Sequence, residues 1–290
     1  MRYKVRHVST LSYASPVTRA RFNLRLKPRL RDGQGIESAN LGLSPSPASQ
    51  DDQPGPYWVN TTRIGFDAPL KSLEVKSEFV MTLAARAIRT TGPSLTAVRN
   101  EALEEADLSD LSPAPYLFAS RIASTDDQIA QWATPFLTSE DDVIASVTRL
   151  MEALHAQFTY APGKTNSRTA PSEAFAAKHG VCQDFAHVMI IALRSHGIPA
   201  AYVSGYLLTR PPPGKPKLVG ADAMHAWVDV WCGAALGWVG FDPTNNRVAG
   251  EDHIAIAMGR DYADVSPVDG TFVGSAPQRM SSAVDVERLD

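Results

Sequence analysis

The sequence predicts an α+β fold, with a β-sandwich-like N-terminal domain ahead of a core in which one helix packs on an antiparallel sheet. Three observations carry this. Residues 1–90 alternate apolar and polar side chains with a period of two. Between 124 and 196 the apolar residues recur at helical spacing behind capping residues. Beyond 200, short aromatic and β-branched stretches return, separated by turn residues.

In the first region Tyr3, Val5 and His7 alternate with Lys4, Arg6 and Val8, and Leu24-Arg25-Leu26 keeps the period before Pro28. Leu43 to Pro56 is rich in Pro, Ser, Gly and Asp and reads as an exposed loop. Residues Tyr57–Thr62 and Leu73–Leu83 read as further strands, the second long and regular. Residues 91–123 hold Gly92-Pro93, Pro113 and Pro115 around the acidic run Glu101 to Asp110, and read as a linker and connecting segment.

The core is expected over 124–267. Ser124-Thr125-Asp126-Asp127 caps a helix through Trp132, and Ser139-Glu140-Asp141-Asp142 caps a longer one from Val143 to about Phe158. Ile144, Val147, Leu150, Met151 and Leu154 share one face of the latter. Pro171 to His179 forms a short helix, which Gly180 can end with a positive φ. Cys182 to His196 forms the next, stopped by Gly197 and Pro199. Strands follow at 200–208, 225–231 and 238–242, with the Pro-rich loop Arg210 to Gly220 between the first two. The tail, 268–290, reads as loop-rich with a last strand at Ala283–Val286.

A chain of 290 residues with 44% apolar and 20% charged side chains fits a soluble globular protein. Its formal net charge of −3 gives no reason to expect nucleic acid or an anionic membrane as partner. No apolar run approaches the ~20 residues that span a bilayer. The first residues lack the apolar block of a secretion signal, so a cytoplasmic protein is expected. The two cysteines, Cys182 and Cys232, are read as free thiols. Oligomeric state is not encoded in any feature of the sequence.

The candidate chemistry gathers at Cys182, His225 and Asp242. A cysteine in the first turn of a helix meets unpaired N–H groups and the positive dipole end, which favour a thiolate. Such a nucleophile needs a base, and the base needs a third group to hold its tautomer. On the strand 225–231, period two puts His225, Trp227, Asp229 and Trp231 on one face and Cys232 on the other, which leaves Cys182 as the partner of His225. Cys232 to Gly237 is a hairpin connection. If Trp231 faces Trp238, Asp242 is a diagonal neighbour of His225; a shift of two puts it directly opposite. Each residue alone has a duller reading, as a buried thiol, a satisfied strand histidine and a turn-opening aspartate. A metal site at His179, Cys182, Asp184 and His187 is the rival. Cys182 and His187 are ~500° apart around a helix, so no metal is expected, and His187 reads as a support residue. Trp227, Trp231 and Trp238 read as core.

Three blocks resemble the transglutaminase-like superfamily of papain-related cysteine acyl transferases, in its bacterial form with a β-rich N-terminal region. They are Gly180–His187, Asp222–Val228 and Gly237–Asn245. Gly197–Tyr206 and Asp261–Pro267 add to the bacterial pattern. The resemblance implies a papain-like transglutaminase core with Cys182 as nucleophile, His225 as base and Asp242 as its carboxylate. Animal transglutaminases carry Trp directly after the nucleophile, where this chain has Gln183. The implied activity is a cysteine peptidase or amidase acting on a peptide or protein substrate, with no cofactor. Protein-glutamine transglutaminase and a non-catalytic binding scaffold are the alternatives.

Overall fold

The computed structural model describes residues 1–85, 89–209, 222–275 and 277–290. Six strands come first: β1 (Arg2–Val17), β2 (Arg19–Leu24), β3 (Gln34–Ser44), β4 (Ser49–Pro54), β5 (Asn60–Phe66) and β6 (Leu70–Leu83). They form two antiparallel sheets. One runs β1-β6-β3 and the other β2-β5-β4, and each gains one more strand from the far end of the chain. The alternation of β1 is literal: Tyr3, Val5, His7, Ser9, Leu11 and Tyr13 are buried. Leu11, Val17, Leu73 and Val75 from the first sheet and its end pack with Phe22, Leu24, Ile64 and Phe66 from the second, closing an apolar layer between them.

Two expectations about this region change. The stretch 43–56, read as an exposed loop, contains β4, paired with β5 from Ser49↔Gly65 to Pro54↔Asn60. All six residues of β4 are exposed, because it is an edge strand whose side chains face water while its backbone pairs. Polar composition therefore hid it. The tail read as loop-rich carries β14 (Val268–Val273), which adds to β2, and β15 (Gln278–Arg288), which adds to β1 in register from Tyr3↔Arg288 to Tyr13↔Gln278. Only Val284 and Val286 of β15 are buried, so most of its length has no apolar signature.

The segment 91–123, read as a linker, holds helix α1 (Leu95–Glu104). Ser94 caps it by accepting from the Ala97 N–H, and Leu95, Val98 and Ala102 are buried in the main core. The prolines that suggested a linker lie on either side of it. Then come α2 (Asp127–Ala133), capped by Asp126, and α3 (Val143–Gln157), capped by Asp142. Both match the capping residues read from sequence. The parallel pair β7 (Thr159–Tyr160) and β8 (His179–Gly180) brackets α4 (Pro171–Ala177).

Helix α5 (Cys182–Ser195) is the centre of the core, buried from Asp184 to Arg194. Gly197, at φ +75°, turns the chain after it. α5 packs on an antiparallel sheet of order β12-β11-β10-β9-β13, formed by β9 (Ala200–Leu207), β10 (Met224–Trp231), β11 (Trp238–Asp242), β12 (Arg247–Val248) and β13 (His253–Gly259). The short α6 (Tyr262–Val265) follows β13. The predicted loop 210–220 lies outside the described residues. Among the described residues no helix is long and apolar enough to cross a membrane.

One buried ion pair joins the N-terminal region to this sheet. Arg31, between β2 and β3, reaches Asp229 of β10 at 2.6 Å, with side chains 8% and 3% exposed. Asp229 also accepts from the Trp227 indole N–H at 3.2 Å. Arg31→Met is expected to lower unfolding stability by about 3–5 kcal/mol, since it strands a buried carboxylate without its cation. Urea unfolding measures this, and a loss under about 1 kcal/mol would show that water reaches the pair.

Candidate active site

Cys182 is the first residue of α5 and is partly exposed, whereas Cys232 is fully buried. The turn that presents Cys182 is built by Asp184. Its Oδ2 accepts from the Val181 N–H at 2.7 Å and from the Thr165 hydroxyl at 2.6 Å, and so ties the helix start to the loop before α4. Gly180 is needed here for space rather than for a positive φ: a Cβ would stand 2.6 Å from the Asp184 carboxylate. The left-handed residue that ends α4 is Lys178, at φ +53°. With α5 beginning at Cys182, its N–H and that of Gln183 belong to the first turn, which lacks intrahelical acceptors.

The hairpin β10–β11 has the first of the two registers considered, Trp231↔Trp238 through Val228↔Phe241. Asp242 therefore lies diagonally from His225, and the two side chains meet: His225 Nε2 is 2.8 Å from Asp242 Oδ2. Asn245 Nδ2 lies 3.4 Å from the same Nε2, and the Cys182 side chain at the start of α5 is close enough to raise the imidazole's pKa. Of the three residues singled out from the sequence, His225 and Asp242 are in contact and Cys182 acts electrostatically on the same imidazole. Cys232 is apart from them, with its thiol directed to the Val230 carbonyl at 3.4 Å.

The carboxylate is fully buried and crowded with donors. Oδ2 also receives Asn245 Nδ2 at 2.7 Å and lies 3.1 Å from His253 Nε2. Oδ1 accepts from the backbone N–H groups of Thr244 and Asn245 at 3.1 and 3.2 Å. Burial opposes ionisation of Asp242, but the bonds from His225, His253 and Asn245 outweigh it and hold the carboxyl well below the usual range. For His225 burial pulls downward, and the hydrogen bonds and charges of Asp242 and Cys182 push it up to about 9. The Asp242 anion behind the imidazole thus favours its protonated form.

The sheet supports this through Trp227. Its ring stacks on His225 (centroids 6.2 Å, 28°) and meets His253 edge-on at 5.2 Å. It crosses Gly205 of β9, where a Cβ would lie 2.7 Å from the indole and 2.2 Å from the Ile254 carbonyl oxygen. Trp227 is thus a core residue, as expected, and also a wall of the site.

The rival ligand set does not assemble. Asp184 caps the helix, His179 Nδ1 bonds the Ala177 carbonyl at 3.0 Å, and His187 accepts from the Tyr262 N–H at 3.2 Å while its ring lies against Tyr202. Burial holds His187 down to about 4, so it is a neutral support residue. A different trio has ligand atoms within 4.8 Å of one another: His225, Asp242 and His253. In it both imidazole Nε2 atoms converge on the one oxygen, Asp242 Oδ2.

Sequence reasoning missed His253, Asn245 and the Arg31–Asp229 pair. Asn245 stands three residues after Asp242, within reach of an Asx-type turn, and that spacing was a usable signal. His253 arrives from β13, two strands from β10, and no local pattern points to it.

Two family models match the chain: the transglutaminase-like superfamily over residues 130–243 and the bacterial transglutaminase-like N-terminal region over residues 3–82. An uncharacterised protein of Mycobacterium bovis is 32% identical over 98% of this chain and 92% of its own length. A protein-glutamine gamma-glutamyltransferase of Pseudomonas aeruginosa is 36% identical over 31% of this chain, which is 14% of that protein. The crystal structure of a candidate cysteine protease from Cytophaga hutchinsonii superposes with a TM-score of 0.78, covering 100% of this chain and 91% of the other at 22% identity, a likeness of fold. With both matched regions in order and a relative aligned almost end to end, the chain belongs to the transglutaminase-like superfamily, in the form that carries the bacterial N-terminal region.

Proposed function

We propose that this protein is a cysteine-dependent acyl-transfer enzyme that hydrolyses an amide bond of a peptide or isopeptide through Cys182, His225 and Asp242. The observation that carries the reading is the 2.8 Å contact between His225 Nε2 and the fully buried Asp242 carboxylate, on an imidazole whose pKa the Cys182 side chain at the start of α5 also raises. Since Nε2 is taken, Nδ1 is the nitrogen left for the sulfur. The Cys182 thiolate attacks the carbonyl carbon, and the oxyanion meets the Cys182 N–H at the helix start. As the C–N bond breaks, the proton on His225 Nδ1 passes to the leaving amine and a thioester remains. Water then attacks the thioester, gives its proton to the same nitrogen and releases the acid, restoring the thiolate. Asp242 keeps its charge throughout and fixes the ring.

A second reading, transamidation, draws on the similarity to the Pseudomonas gamma-glutamyltransferase. It needs only that an amine, rather than water, reach the thioester. Turnover of a peptide library with and without a primary amine separates the two: free acid marks the hydrolase, amine incorporation the transferase.

Activity is expected to survive EDTA and to be lost to a thiol alkylator. It should fall on the alkaline side as His225 loses its proton near pH 9, because the deprotonated ring has nothing to give the leaving amine. Protein that is inactive after chelation and revived by zinc would overturn the triad.

A further inference from the structure

Asp242 is held by a second imidazole whose protonation the backbone dictates. The Gly250 N–H can only donate, and its acceptor is His253 Nδ1, 3.2 Å away. That nitrogen must therefore present a lone pair, which leaves the proton of the neutral ring on Nε2. Nε2 is 3.1 Å from Asp242 Oδ2, so the ring donates to the carboxylate. The His253 side chain is only 2% exposed, and burial lowers its pKa from the usual imidazole value, which favours the neutral ring. On β11 it faces the Asp242 anion, and on β10 it faces His225, at 6.3 Å between ring centroids, and Trp227, at 5.2 Å. Arg247 of β12 adds a positive charge nearby, shared with Asp252 at 3.5 Å.

We infer that His253 is a positioning residue, a tautomer-locked neutral donor that pins the Asp242 carboxylate and through it holds His225 in the orientation that pairs with Cys182. This rests on the triad reading above. Its chemical logic is that of an outer layer. A carboxylate with one strong partner swings about its Cβ–Cγ bond, and the imidazole it orients swings with it. Donors from β13, from the turn at Asn245 and from the backbone fix the carboxylate plane instead. The bond from His253 also lowers the proton affinity of Asp242, so Asp242 orients His225 without taking its proton. Loss of His253 removes one of the donors that fix the carboxylate plane, and the imidazole turns with the carboxylate away from Cys182. The thiolate–imidazolium pair is then harder to form.

No substrate is needed for the test. The rate of iodoacetamide alkylation at Cys182, followed by peptide mass from pH 5 to 9, reports formation of the pair. On the triad reading, wild-type Cys182 is expected to react faster than an ordinary thiol at the same pH. His253→Leu should move the profile about one pH unit upward, so that the rate at pH 6 falls about 10-fold, within the range seen for outer-layer partners. His253→Gln should behave as wild type, because its amide oxygen and nitrogen can take the Gly250 N–H and reach Asp242 in place of the two ring nitrogens. A folded Leu variant with an unmoved profile overturns the inference, and so does a Gln variant that shifts as far as Leu. Should the Leu variant not fold, nitrogen NMR of the wild-type protein decides. His253 must show a proton on Nε2 and none on Nδ1 at pH 7 to 8, and the opposite tautomer or a doubly protonated ring there overturns the inference. If wild-type Cys182 alkylates like an ordinary thiol, the triad reading fails, while the NMR result still reports on His253.

Discussion

Cys182→Ala abolishes turnover, by a factor expected to be on the order of 10⁴ or more, and leaves the fold nearly intact. Removing a nucleophile that acts as one unit with its base costs as much as removing the whole constellation, which is the source of that magnitude. The side chain is partly exposed at the end of a helix, so its loss leaves no cavity of consequence. Cys232→Ala is the matched control. Its thiol is fully buried, and burial pushes it well above the usual range, so it is inert as a nucleophile. That variant should keep near wild-type activity and lose on the order of 1 kcal/mol of stability through the small cavity left behind. Activity assays and thermal melts of the two proteins read both effects. A reversed outcome, with Cys232 essential and Cys182 dispensable, would end the assignment.

The site was readable in the sequence where side-chain parity and helix signals are local. Cys182 at a helix start and His225 on the strand face away from Cys232 needed only periods of 3.6 and 2. Asp242 needed one further fact, the register of β10 on β11, and the short Gly-containing connection limited it to two choices. What escaped has no local signature. His253 reaches Asp242 from a strand three places away in the sheet, and Arg31 reaches Asp229 from a segment nearly 200 residues earlier in the chain. The fold behaved in the same way. The buried alternation of β1 and β6 was plain, whereas the exposed edge strand β4 and the mostly exposed β15 carry polar residues that composition alone assigns to loops. Gly180 shows a subtler failure. Glycine before a helix suggests a positive φ, but here the demand is room for the Asp184 carboxylate that caps the nucleophile's turn.

Asp242→Asn is expected to lower kcat/KM by about 10²–10⁴-fold and to destabilise the protein as well. In a Ser-His-Asp protease the equivalent change costs ~10⁴-fold, because the amide holds the wrong tautomer. The surroundings of Asp242 add a second penalty. Oδ2 faces donors from His225, His253 and Asn245, and Oδ1 faces two backbone N–H groups. An asparagine must place its NH₂ on one side or the other. Toward the imidazoles, it opposes three donors and His225 loses its acceptor. Toward the turn, it opposes the Thr244 and Asn245 N–H groups, and the turn that follows β11 must open. Either way at least one buried donor goes unsatisfied, at roughly 1–3 kcal/mol each. The lost anion also removes what holds His225 at about 9, so the alkaline limb of the pH profile should move toward neutrality. The sign follows from linkage. His225 is raised above its unfolded value, so its contribution to stability is full below about pH 6.5 and fades as the pH rises through about 9. The variant should lack that dependence. Kinetics across pH 5 to 10 together with melting curves measure all three effects. Unchanged rates with an unmoved alkaline limb would remove Asp242 from the mechanism, whatever the melts show.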